Sequence, residues 1–373
     1  MISHILAGVV VGYSLLYVLV AVALALGALR FRKPGRLPER LPRVSVVLCA
    51  RNEEHNIPRC LGSLIAVDYP PEKIEIILVD DESADRTLEL FGRYARGDAR
   101  IKVLSTAGEP RTLIGKQRPL NLGIRESTGE IVLGVDADVA VRPGWVKAHV
   151  AAQRGRVAIA GGTTRIDPFS RGLFARMQAC DLATKISIAM GCAGLGFPLT
   201  IMGNNISFRR DVYESIGGFG KMKPRIVEDT ALMNAVTRDA GYRLGWAAGP
   251  DGVADSAPEE FFYTFIEQRR RWLNAMNDLS LIPKLLFGIE LVMTLMFAVS
   301  LLLALHSPVP LWAIIVAWLL GYVVLLAVNS GSTGKDYLFI PVMILFQMYY
   351  GMVIGFRNTF GSRTVMWKGR EYS

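Results

Sequence analysis

Cysteine and histidine are both scarce in this chain, with four of each. Cys49, Cys60, Cys180 and Cys192 show no CxxC or other metal-ligand spacing, and His4, His55, His149 and His306 are scattered, which argues against a Cys/His metal cluster. Charge is missing from the first 29 residues, which hold no Asp, Glu, Lys or Arg. A broad basic face is missing too, and with it the footprint of a nucleic-acid binder. A hydrophobic content of 51% excludes a disordered chain.

What the sequence does have is segregation. The net charge is +9, yet residues 44–280 hold 30 basic and 29 acidic side chains. The excess sits in two collars. Residues 30–43 carry six cations (Arg30, Arg32, Lys33, Arg36, Arg40, Arg43) against Glu39, and the tail 357–373 is +3.

Ile5 to Leu29 is long enough to cross a ~30 Å hydrocarbon layer as a helix. Its cations follow it rather than precede it, so it reads as a retained anchor rather than a signal peptide. The positive-inside rule then keeps the chain beyond Arg30 in the cytoplasm, at the cell (inner) membrane. Three further apolar runs, Leu285 to Leu305, Leu311 to Val328 and Leu338 to Phe356, read as spans. Three crossings leave the +3 tail outside, against the rule, so either one run is re-entrant or interfacial or the tail is an exception. The expected organisation is an anchor at 1–29, a cytoplasmic domain at 30–280, three hydrophobic segments at 281–356 and a basic tail at 357–373.

Within the middle region Val44 to Leu48, Ile74 to Val79 and Ile131 to Val135 are short β-branched runs separated by helical patterns, which predicts an α/β domain with a mostly parallel sheet buried on both faces. Functional groups of such sheets collect beyond the carboxyl ends of the strands. There stand Ala50 to Glu54, Asp80-Asp81 and Asp136-Ala-Asp138. Carboxylates gathered at buried strand ends repel one another unless a cation or donors share the site. An extended Asp-x-Asp would direct both side chains to one face, which suits a hard divalent cation that also takes diphosphate oxygens and water.

Six segments occur in order: Val46-Val-Leu-Cys-Ala-Arg-Asn-Glu53, Val79-Asp-Asp-Glu-Ser-Ala-Asp-Arg-Thr87, Gly115-Lys-Gln-Arg-Pro-Leu-Asn-Leu-Gly123, Asp136-Ala-Asp138, Glu228-Asp229 and Gln268-Arg-Arg-Arg-Trp272. This set resembles glycosyltransferase family 2. In particular it is similar to the membrane-embedded QxxRW branch with cellulose, hyaluronan and chitin-oligosaccharide synthases and ceramide-glucosyltransferase-like enzymes. The resemblance covers residues 43 to about 280, and around Leu104 to Arg118 it thins to Gly115, Lys116 and Asn121.

The resemblance implies a GT-A nucleotide-sugar-binding fold and inverting transfer from a nucleotide-sugar donor, a UDP-hexose or UDP-N-acetylhexosamine. It implies Asp229 as catalytic base with Glu228 beside it. Asp138 and Asp136 would hold a divalent cation, Mg or Mn. Asp80, Asp81, Glu53, Lys116, Asp136, Gln268 and Arg271 would bind the donor. Trp272 would form an acceptor platform, and Asn204 and Asn205 could line the acceptor pocket or simply form a turn. Gln268 to Trp272, following Phe261 and Phe262, also reads as an amphipathic helix on anionic lipid. Phe169 to Met190 also reads as an amphipathic helix, for which ordinary core and membrane contact stay equally open. Three functions are compatible with this set: transfer to a lipid acceptor at the cytoplasmic face, a processive polysaccharide or chitin-oligosaccharide synthase, or a silent nucleotide-binding scaffold. The first is favoured, because processive relatives carry more membrane helices.

Overall fold

The computed structural model describes residues 2–167, 169–170, 172–222, 227–274, 281–360, 365–367 and 370–372. In the basic tail, residues 361–364, 368–369 and 373 lie outside the described residues. The chain divides into two compact units.

The first comprises Met1–Arg30, Arg171–Leu199 and Met276–Phe360. Among the described residues, four helices are long and apolar enough to cross a membrane: Ser3–Phe31, Lys284–Leu303, Val309–Ala327 and Asp336–Thr359. Their outward faces are Leu- and Val-rich, while Tyr17, Met293, Trp318 and Tyr322 pack inward. The sequence predicts residues 30–280 as one domain. The structure instead places the helix Leu173–Leu195 in this helical unit, against Ile2–Ala28. Glycine makes the approach possible, since a Cβ on Gly194 would run into the Gly27 carbonyl and one on Gly191 into Leu24. Arg30 then donates to the Gly194 carbonyl. Asp181, buried inside the unit, is satisfied: it accepts from Lys185, from Gln347 at 2.9 Å and from Tyr350 at 2.8 Å. Buried polar side chains between apolar helices need such partners.

The second unit, Phe31–Ser170, Thr200–Ala275 and Gly361–Ser373, is an α/β domain. Its strands are β1 (Val44–Ala50), β2 (Ile74–Asp80), β3 (Ile101–Ser105), β4 (Ile131–Asp136), β5 (Val139–Ala140), β6 (Val157–Ile166), β7 (Asn205–Arg209), β8 (Arg243–Ala247) and β9 (Val253–Ser256). They form a curled sheet of order β3-β2-β1-β4-β7-β6-β9-β5, with β8 also on β6. The half β3-β2-β1-β4 is parallel, as the continuous apolar runs predict. Beyond it β7 runs antiparallel to both β4 and β6, so the sheet is mixed. Val46, Leu48, Ile76, Leu78 and Leu133 are fully buried and form the core with the helices Ile57–Ile65 and Trp145–Ala152.

Candidate active site

Register sets the site. Ala50 pairs with Asp80 and Cys49 with Asp136, so the parallel strands β2, β1 and β4 finish together and put both aspartates on one edge. The chain leaves β1 through Asn52 (φ 54°) and β2 through Glu82 (φ 57°), left-handed conformations that turn both loops sharply. The loops are laced together. Ala84 N donates to Asn52 Oδ1 (2.8 Å), Glu53 N to Thr87 Oγ1 (2.8 Å) and Glu54 N to Asp85 Oδ2 (3.0 Å). Asp85 and Thr87 therefore serve the loop geometry.

Asp81 is buried, with Oδ1 accepting from the Thr106 hydroxyl at 2.8 Å and ion-paired with Arg118 at 3.7 Å. Asp80 is 2% exposed, and its Oδ2 accepts from Ser83 N at 3.3 Å. Its Oδ1 is buried with no hydrogen-bond partner among the described residues. An orphaned buried acceptor is costly unless a ligand donor meets it.

The Asp136–Asp138 segment departs from the extended geometry expected of it. Asp136 ends β4, and Ala137 and Asp138 form the turn into β5. The turn is fixed from β9, where Ser256 Oγ donates to Asp138 Oδ2 (2.9 Å) and Ala257 N to the Asp138 carbonyl (3.1 Å). Arg59 adds a donation to the same carbonyl at 3.0 Å, another to the Asp255 carbonyl at 2.9 Å, and an ion pair with Asp167 at 2.9 Å. Loss of water, followed by repulsion from Asp136 and Glu53, pushes the Asp138 carboxyl up to about 7. That excess negative charge is what a divalent cation relieves. Among the described residues no group of three or more His, Cys, Asp or Glu could hold a metal by itself. Two carboxylates fit a cation whose remaining ligands are water and diphosphate oxygens, the usual manner of Mg²⁺.

Lys116 follows Gly115 (φ 56°), at the start of the helix Gln117–Arg125. Its ammonium bonds Asp136 and lies 4.0 Å from Glu228, with only 11% of the side chain exposed. Burial alone would lower its pKa; Asp136 and Glu228 outweigh that and hold it charged. Asp229 lies in the first turn of the helix Glu228–Asn234, with Oδ2 accepting from Gly203 N (2.7 Å) and Oδ1 from Thr230 N (2.5 Å). A small cavity lined by Val47, Leu120, Val132, Phe219 and Leu232 borders Glu228 and Asp229. Burial raises both carboxyls above their usual range, and Lys116 pulls the other way.

The structure thus brings Asp80, Asp81, Glu53, Lys116, Asp136, Asp138, Glu228 and Asp229 to one edge of the sheet. Gln268, Arg271 and Trp272 lie on the helix Phe262–Asn274. There Gln268 Nε2 donates to Glu259 at 2.8 Å, and the Arg269 guanidinium stacks 4.3 Å from the Phe265 ring and 4.1 Å from the Trp272 ring. One face of the expected acceptor platform is therefore taken by a cation from its own helix. Phe261 is 65% exposed, whereas Phe262 stacks on Phe265.

Asn205 departs from the acceptor-pocket expectation. It is fully buried, accepting at Oδ1 from Trp145 Nε1 (2.9 Å) and from His149 Nε2 (2.8 Å), and donating to the Gly252 carbonyl (3.1 Å). A strand residue points its side chain to one sheet face only, and here that face is the core. Asn204 Oδ1 accepts from Thr164 at 2.9 Å. Thr106 and Ser256 were not legible as site residues, because each meets its carboxylate from a distant element and belongs to no motif.

Residues 45–217 match the family model for glycosyl transferase family 2. The chain is similar to the probable glycosyltransferase YdaM of Bacillus subtilis, 29% identical over 237 residues, with 63% of this chain and 55% of that protein covered. Glycosyltransferase AglE of Haloferax volcanii is 27% identical over 221 residues, covering 58% of this chain and 68% of the relative. A beta-monoglucosyldiacylglycerol synthase of Trichormus variabilis is 27% identical over 183 residues, covering 48% and 38%. The chain thus spans little more than half the length of the first relative and less than half of the third. Among solved structures, a mannosyltransferase from Pyrobaculum calidifontis in complex with GDP-Man and Mn²⁺ shares the fold, with a TM-score of 0.58, 19% identity and coverage of 96% of this chain and 98% of that one. Residues 45–217 are thus similar to glycosyl transferase family 2, and the chain has a GT-A-like fold.

Proposed function

We propose that the protein moves a hexose or N-acetylhexosamine, with inversion, from a UDP-sugar to a lipid acceptor at the cytoplasmic face of a membrane. One observation carries the reading: the same chain holds a carboxylate-rich strand edge and four helices long and apolar enough to cross a membrane. The name of the diacylglycerol-glucosylating relative supports a lipid acceptor.

In this reading Asp80, with its open Oδ1, accepts an N–H of the base, and Asp81 sits behind it, fixed by Thr106. Asp136 and Asp138 hold the divalent cation, which as a Lewis acid would stabilise charge on the leaving diphosphate. Lys116 adds a positive charge on the same side. Asp229 takes the proton of the attacking hydroxyl, and its raised pKa makes it the better base for that task. As that O–H opens, the acceptor oxygen bonds the anomeric carbon and the bond to the diphosphate oxygen breaks, its electron pair leaving with the diphosphate. Gly203 N–H and Thr230 N–H keep the carboxylate aimed throughout. Arg271 and Gln268 contribute to diphosphate binding and Trp272 to the acceptor side.

The test is incubation of the purified protein with radiolabelled UDP-sugars and membrane lipid, and then separation of products by size and polarity. A chloroform-soluble glycolipid is the expected product. A water-soluble polymer would replace the lipid-acceptor reading with that of a processive synthase.

A further inference from the structure

The Lys116 ammonium stands where a cation is wanted. It bonds Asp136, the carboxylate that closes β4, and lies 4.0 Å from Glu228. Asp138 comes two residues later in the same turn, and Asp229 adjoins Glu228. Only 11% of the lysine side chain is exposed, whereas 37% of Asp136 is, so the carboxylate is open to solvent and the ammonium behind it is not. A lysine stem is long and flexible, and its ammonium is a point charge that can change partners without a fixed fork geometry.

A divalent cation approaching Asp136 must share that carboxylate with a buried positive charge. Two cations a few ångströms apart repel, and the repulsion is strong where water is scarce. A diphosphate changes the balance, because its oxygens accept from the ammonium and coordinate the metal together. We propose that Lys116 is a built-in counter-ion that blocks metal binding at Asp136 until a nucleoside diphosphate draws the ammonium away, so that metal and diphosphate bind as a coupled pair. The inference rests on the reading of Asp136 and Asp138 as metal ligands. It adds that the lysine sets the order of assembly and keeps the edge neutralised while no donor is present. By linkage, whatever factor UDP adds to metal affinity, the metal adds to UDP affinity.

The test measures Mn²⁺ binding to the full-length protein in detergent by electron paramagnetic resonance, with and without UDP, for wild type, Lys116→Met, Lys116→Gln and Lys116→Arg. Wild type is expected to bind Mn²⁺ weakly alone and much more tightly with UDP. Lys116→Met and Lys116→Gln should bind Mn²⁺ alone about tenfold or more tightly than wild type, a factor expected even at the dielectric constant of bulk water. In both, the gain on adding UDP should shrink. Lys116→Arg keeps the charge and should bind Mn²⁺ without nucleotide as weakly as wild type. The result is read on whichever neutral variant elutes with wild type on size exclusion. Equal Mn²⁺ affinity of wild type and neutral variants without nucleotide, with UDP strengthening both alike, overturns the inference and leaves the metal reading standing. No Mn²⁺ binding by any form, even with UDP, overturns both.

Discussion

His149 sits where acid should weaken the protein, and the effect reaches the proposed base. Its ring is fully buried between Trp145, Asn205 and Ser207. The partners fix its tautomer. Asn205 Oδ1 accepts, so Nε2 carries the proton; Ser207 Oγ accepts from Gln153 at 2.9 Å, so its own hydrogen goes to His149 Nδ1 at 2.9 Å. A second ring proton on Nδ1 would meet the serine hydrogen, and the network would lose a bond while gaining a buried charge. Burial lowers the His149 pKa from the usual 6.5 to about 4, against a smaller upward pull from Asn205. In that window the unfolded chain binds a proton that the folded one does not, so stability rises with pH across it. The contribution is complete above about pH 6.5 and is lost progressively as pH falls to about 4. It amounts to about 3 kcal/mol, from a shift of roughly 2.5 units at 1.36 kcal/mol each. Acid loosening here would reach Asp229, because Asn205 N closes the turn onto the Met202 carbonyl (3.0 Å) and that turn presents Gly203 N to the base.

The assay is denaturant unfolding of the full chain in detergent, monitored by tryptophan fluorescence between pH 7.5 and 4, for wild type and His149→Phe. Carboxylates titrate in both proteins, so the difference between the two curves isolates the ring. Wild type should lose about 3 kcal/mol more than the variant between pH 6.5 and 4. Parallel curves would refute the argument, since they would mean that the ring is protonated equally in both states.

Two other outcomes are expected. Asp229→Asn should lower kcat by about a hundredfold or more with UDP affinity nearly kept, as for a group acting in the transition state; in wild type kcat/KM should still be rising with pH above the usual aspartate range, because burial raises that carboxyl. Unchanged turnover would remove Asp229 as base. Gly194→Val in the helical unit should cost about 1–3 kcal/mol by forcing apart the Gly27 contact, read as a lowered melting temperature in detergent; an unchanged melting temperature would contradict the close-approach account.

Much of the carboxylate-bearing edge was legible because its signals are local. The apolar runs of β1, β2 and β4 end within two residues of the predicted positions, each followed by the expected polar group. The rest of the sheet was not legible. β7, β8 and β9 are short, β6 shifts register against β8, and β7 reads as a Gly-Asn turn because Asn205 is polar although it is buried. The Asp-Ala-Asp turn reads as extended, because nothing nearby in sequence reveals that β9 crosses over to pair with β5. The helix Leu173–Leu195 reads as amphipathic, yet it buries its polar Gln178, Asp181, Thr184 and Ser187 as well, and its Gly191 and Gly194 gain meaning only when Gly27 is seen opposite.

By itself the sequence determined the segregation of charge from apolar runs, the parallel strands and the carboxylates at their ends, since these arise from periodicity and turn chemistry within a few residues. Only the tertiary structure decided which charge faces which: Lys116 on Asp136 and Glu228, Ser256 on Asp138, Gly203 on Asp229, and Asn205 turned into the core. Such pairings join residues from 20 to 118 positions apart. They depend on sheet register and on how much water each group loses, and neither quantity is set by neighbouring residues.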